Sequence, residues 1–135
     1  MTAPENQDID STKSAFEDGM EEPASIEELP HNLGFIETAE LRQRKAEWLA
    51  ARDTEYYRQA AITYHELAQD LVDQQSGEAR MKAQIGLIIE MGLIRRSMGK
   101  MEAYLEDVED AIVYAQQEGL DEVVAILESE ARDKE

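Results

Sequence analysis

Carboxylates are the side chains best placed to do chemistry in this 135-residue chain, which holds 31 Asp and Glu against 13 Lys and Arg. Glu102, Glu106, Glu109 and Asp110 follow one another at helical spacing, so they gather on one side of a helix. Two carboxylates placed in this way can share a divalent ion. A solvated acidic helix face has the same pattern, and that is the reading adopted. His65 sits beside Glu66 without a second helical histidine to complete a metal or nucleophilic set. His31 lies in the N-terminal tail. There is no Cys, no glycine loop to cradle phosphate and no Gly-x-Ser-x-Gly. The expectation is a protein without catalytic residues, without a metal site and without a cofactor.

A second concentration of chemistry is positive: Arg42, Arg44, Lys45, Arg52 and Arg58. The simplest role for it is pairing with the acidic C-terminal helices. Exposed pairs of that kind contribute less than about 1 kcal/mol each. As a site, the cluster would receive the carboxylate of an acidic peptide or a chain terminus.

The elements that carry these residues are helices. Three Pro and seven Gly fall mostly outside the periodic segments. The pattern turns helical at Thr38, giving a helix over about 38–52 with Leu41, Trp48 and Leu49. A second, about 55–75, carries the stripe Tyr57, Ala60 and Ala61, Tyr64, Leu67 and Ala68, Leu71 and Val72 at three- and four-residue steps. A third, about 78–98, is apolar on several sides, which predicts a central helix packed on both flanks. Gly86 and Gly92 inside it cost about 1 kcal/mol each relative to Ala, so they mark close approach by another helix. A fourth spans about 100–118 and a fifth about 121–132. Short connections make neighbours antiparallel. The expected fold class is all-α, about five helices in antiparallel hairpins, preceded by an acidic tail.

That division places an acidic, largely disordered arm at 1–37 and a helical domain at 38–135. Residues 1–24 have too few large apolar side chains to offset the entropy of ordering. Ser25-Ile26-Glu27-Glu28 has capping-box spacing and predicts one helical turn that Pro30 then stops. Leu29, Leu33, Phe35 and Ile36 form an apolar cluster that either folds back over the first hairpin or serves as a docking motif for a partner.

Tyr56–Gly77 and Gly99–Asp121 echo each other at an offset of 43 residues, matching Ala61 with Tyr104, His65 with Val108 and Ala68 with Ala111. Gly77-Glu78-Ala79-Arg80 followed by Ile85-Gly86, a turn glycine at Gly99, then Tyr104, Leu105, Val108, Ala111 and a closing Gly119 resemble a tetratricopeptide-type array. The likeness covers about 38–130. The chain departs from the family in its longer third helix, in lacking the proline after the second helix of the pair, and in a repeat longer than the family's ~34 residues. The resemblance implies protein binding in a groove lined by the first helix of each pair. In this chain those are the helices at 38–52 and 78–98, with Arg42, Lys45, Trp48, Arg80, Gln84 and Arg95 as the partner-binding side chains. Asp107-Val108-Glu109-Asp110 resembles the second acidic motif of the all-α nucleotide pyrophosphohydrolases. Among Glu47, Glu55, Glu66 and Asp70, none forms the Glu-x-x-Glu pair of the first. That implies, as a further alternative, a magnesium-dependent hydrolase.

Charge limits the partners. The formal net charge is -18, with -9 over residues 1–37, +1 over 38–101 and -10 over 102–135. Acidic ends repel nucleic acid and anionic membrane, and they speed the approach of a basic protein. The expected partner is another protein, favourably a basic one, with no direct nucleic-acid or membrane contact. Pairing of two chains through Tyr56, Tyr57 and the third helix is left open. The acidic C-terminal segment raises a second function class, a decoy that occupies a nucleic-acid-binding protein. No signal sequence, no span long enough for a bilayer and no Cys make a cytoplasmic setting the expectation.

Overall fold

A computed structural model describes residues 26–134, and these form six helices. They are α1 Leu29–Leu33, α2 Ala39–Ala50, α3 Tyr57–Asp73, α4 Gly77–Ser97, α5 Met101–Gln117 and α6 Asp121–Lys134. The all-α class and the five expected helices are present, and α1 is an addition. The disorder expected for 1–24 and the Ser25 cap lie outside the described residues.

Helix starts and stops follow local chemistry. Thr38 caps α2, its hydroxyl accepting a hydrogen bond from the Leu41 amide at 3.0 Å. Gly99 and Gly119 end α4 and α5 in the left-handed region, at φ +83° and +73°. That conformation lets the Lys100 amide close back on the Arg95 carbonyl and the Leu120 amide on the Ala115 carbonyl, at 2.9 and 3.0 Å. Pro30 does the opposite of what the sequence reading assigned it. It sits in the first turn of α1, where its missing N–H is no loss, so it opens the helix instead of stopping one.

Helix α4 is the spine. Ile85 and Ile89 join a core with Ile26, Leu29, Tyr104, Val108, Val123 and Leu127. Ala83, Leu87, Met91 and Ile94 point into a second core with Phe35, Leu41, Trp48, Tyr64 and Val72. The two sets lie on opposite faces of one helix, which is why its sequence is apolar nearly all round. The α2–α3 hairpin thus covers one flank, and α5 with α6 covers the other.

The two mid-helix glycines stand where neighbours come closest. A Cβ on Gly86 would lie 3.0 Å from the Pro30 carbonyl oxygen and 3.1 Å from Phe35 Cβ, so α1 crosses α4 there. A Cβ on Gly92 would lie 3.0 Å from Asp107 Cβ and 3.4 Å from the Tyr104 ring, where α5 passes.

Two expectations change. The folded body begins by Ile26, not at Thr38, because Ile26, Leu29 and Phe35 are all buried. The internal echo also has a different register. Offset by 43, exposed His65 would match buried Val108. The buried faces superpose at forty residues, pairing Tyr64 with Tyr104, Ala68 with Val108 and Val72 with Ile112.

Candidate functional site

The six side chains expected to line a binding groove do not share one surface. Each is engaged within the chain. Trp48 is fully buried against Tyr64, with ring centroids 5.4 Å apart, so it belongs to the core. Arg95 lies over the Trp48 ring at 5.5 Å and donates to Asp107 on α5 at 2.6 Å. Arg80 donates to Asp73 on α3 at 2.7 Å, and Gln84 exchanges hydrogen bonds with Gln69 at 2.7 and 3.2 Å. Arg42 faces Glu37 at 3.8 Å. Lys45 on α2 donates to Glu90 on α4 at 3.0 Å. Most of these partners come from neighbouring helices, so one sequence on its own gave no sign of them.

The basic cluster pairs differently from expectation. Arg44 is bound to Glu40 and Glu47 of its own helix, and Lys45 to Glu90. None of these reaches α5 or α6. Arg95 and Arg96 of α4 serve those helices instead, through Asp107 and Glu130.

Of the apolar docking cluster, Leu29 and Phe35 are core residues, 3% and 6% exposed, while Leu33 and Ile36 are half-buried. The segment therefore folds back, and it lies over α4 rather than over the first hairpin alone. As a free docking motif it would have to leave both cores.

On either side of α1 the packing leaves a cleft. The first, about 420 Å³, opens between α1, the start of α4 and the α5–α6 corner. Leu29, Leu33, Leu120, Val123 and Ile126 form its apolar wall, and Glu78, Lys82, Asp121 and Glu122 stand around it. The second, about 360 Å³, lies between α1, α2 and the second half of α4. It is lined by Glu27, His31, Leu49, Leu93 and the Lys45–Glu90 pair. Of the six residues expected to line a groove, Lys45 is the one that lines this second cleft. Both fall in the size range of ligand-binding clefts, about 300–1,000 Å³.

Among the described residues Glu90 is the buried acid, at 5% exposure. Its charge, together with burial as the larger cause, pushes the Tyr64 hydroxyl well above its ordinary pKa. Burial does the same to Tyr104, reinforced by the hydrogen bond its hydroxyl donates to Glu130 at 2.9 Å. Arg96 stacks over the Tyr104 ring at 4.8 Å and also pairs with Glu27, tying the start of the described chain to α4.

The carboxylates considered for metal binding do not converge. Glu102, Glu106, Glu109 and Asp110 are exposed along α5, whereas Asp107 turns to Arg95. Glu-x-x-Glu spacing does occur at Glu37 and Glu40, whose carboxylates face Arg42 and Arg44. Glu-x-x-His spacing occurs at Glu28 and His31, both exposed, with His31 3.9 Å from Glu37. Among the described residues no group of three potential metal ligands comes together. Nor, among them, is any helix long and apolar enough to cross a membrane.

Compared with family models, with curated proteins and with solved structures, the chain returns no match.

Proposed function

We propose that this chain is a non-catalytic protein–protein interaction module whose binding face is the one where α1 crosses α4. The observation that carries the reading is the pair of clefts flanking α1, one apolar and one built around an ion pair. Helix α1 is short, and its buried Leu29 and Pro30 anchor it between the two clefts, which open to solvent. Preformed concavities of this kind suit the anchoring side chains of a partner, because little ordering is required on binding. The tetratricopeptide likeness belongs to this proposal as the architecture that would present such a face, and the cytoplasm is its proposed setting.

A second reading rests on the acidic face of α5, where Glu102, Glu106, Glu109 and Asp110 are all exposed. As a decoy, the protein would present these carboxylates to a nucleic-acid-binding protein in place of phosphates.

Salt separates the two. A tagged full-length protein is used to capture partners from a native lysate, and these are eluted by rising salt. A partner seated in the clefts stays bound at about 0.5 M, where the screening length is roughly 4 Å. A partner held by the α5 carboxylates is released well below that. No retained protein at any salt would sink the binding-module reading.

A further inference from the structure

We infer that the cleft between α1 and the α5–α6 corner is a docking pocket for an apolar anchor flanked by lysine or arginine on the partner. The inference rests on the binding-module reading and names the chemistry that one of its clefts selects.

The wall is apolar where it is deepest. Leu29 and Val123 are buried beneath it, while Leu33, Leu120 and Ile126 are half-buried and offer their remaining surface to the opening. Two stretches that are far apart in sequence supply those side chains: α1, and the turn after Gly119 with the start of α6. An anchor of leucine size fills about 420 Å³ only in part, so two apolar side chains one helical turn apart are accommodated.

The rim sets the sign of the partner's charge. Lys82, the rim cation, is held by Glu78 at 3.0 Å. Asp121 and Glu122 stand exposed in the first turn of α6. Part of their charge is balanced by the N-terminal end of the helix dipole, equivalent to roughly half an elementary charge. The rim as a whole remains negative. Asp121 and Glu122 belong to a segment, residues 102–135, that carries a net -10. An acidic segment entering this pocket meets like charge, which also disfavours the chain's own residues 1–25 as occupant, since they carry -6. A basic flank meets complementary charge on arrival and at the rim.

The test is a methyl NMR titration of the full-length protein. The probe is a synthetic peptide with two leucines one helical turn apart, flanked by lysines, and a twin peptide carries glutamates in place of the lysines. The lysine peptide is expected to shift the methyls of Leu33, Leu120, Val123 and Ile126 saturably, and to bind about tenfold or more tightly than its twin, a difference of about 1.4 kcal/mol. Asp121→Asn with Glu122→Gln should erase most of that preference. Glu102→Gln with Glu109→Gln, on α5, should leave most of it. The inference is overturned if both peptides bind alike, or if the α5 pair matters as much as the α6 pair. It is overturned equally if the free protein shows contacts from these methyls to residues 1–25, or shifts that vary with protein concentration. Shifts confined to Leu49 and Leu93 overturn this pocket and leave the binding-module reading standing. That reading is tested separately, and it falls if the lysate capture retains nothing.

Discussion

On one flank of α4, Gly92 lets Asp107 and Tyr104 of α5 come against the helix backbone, whereas on the other Gln84 stands between α4 and Gln69 of α3. The α5 flank is closed by aromatic and small residues, Tyr104, Val108, Ala111 and Ala115, all at zero exposure. The α3 flank is closed by a glutamine pair, an exposed Arg80–Asp73 pair and a buried Trp48 whose indole N–H finds no acceptor among the described residues. An unmet buried donor costs about 1–3 kcal/mol. One helix thus anchors a tight partner and a looser one. The lesson is that a nearly all-apolar helix does not make both of its interfaces equal; the residue at the closest approach decides.

The largest perturbation of the looser flank is Trp48→Ala, which empties the space between Leu41, Tyr64 and α4. A loss of about 3–5 kcal/mol in urea unfolding is expected. Amides of α2 and α3 should exchange well before those of α5; equal exchange in the two hairpins would dissolve the distinction. Next comes Gly92→Val on the tight flank. Branched carbons would be driven into Asp107 and Tyr104, and an over-packing loss of about 1–3 kcal/mol is expected from the same unfolding measurement. A neutral result would mean that α5 shifts freely. Gln84→Ala is milder, at about 1 kcal/mol, because it leaves Gln69 half-buried with one partner fewer.

The smallest effect is also the most discriminating, because two Asp–Arg pairs, one on each flank, titrate in opposite directions. The hydrogen bond from Arg80 lowers the Asp73 pKa below its ordinary 3.8, helped by Gln69. Its contribution to stability is therefore full above about that pH and is lost as pH falls through the lowered value. Burial raises the pKa of Asp107 above 3.8, with Arg95 opposing the shift. In the folded state its proton is held more tightly than in the unfolded chain, so stability from this group is greatest in acid and declines as pH rises through the raised value. Carboxyl NMR titration should place the two midpoints on either side of 3.8. Midpoints on the same side would show that the flanks do not differ in burial of charge.

Much of this fold was legible from single residues. Thr38, Gly99 and Gly119 fixed helix ends through cap chemistry that operates within a few residues. The apolar breadth of 78–98 and its two glycines identified the spine, because burial on opposite faces leaves a local pattern. Pro30 was misread, since a proline that stops one helix also suits the first turn of the next, and only the packing of Leu29 decides between them. The repeat register failed because small residues such as Ala61 and Ala68 fit several offsets, while the paired buried tyrosines, Tyr64 and Tyr104, fit one. The site residues were the least legible. Lys45 meets Glu90 across 45 positions and Tyr104 meets Glu130 across 26, and nothing in a single sequence joins such residues. The clefts were invisible for the same reason, each being walled by three or more separate elements.

The central claim is that partners bind where α1 crosses α4. Hydrogen–deuterium exchange of the full-length protein, alone and with a partner captured at high salt, tests it most directly. The account predicts added protection in residues 27–33 and in one or both cleft walls, at 78–82 with 120–126 or at 45–49 with 93–97. The exposed side of α5 should be unchanged. Protection confined to 102–110, with α1 exchanging as in the free protein, would contradict the claim and favour the acidic decoy.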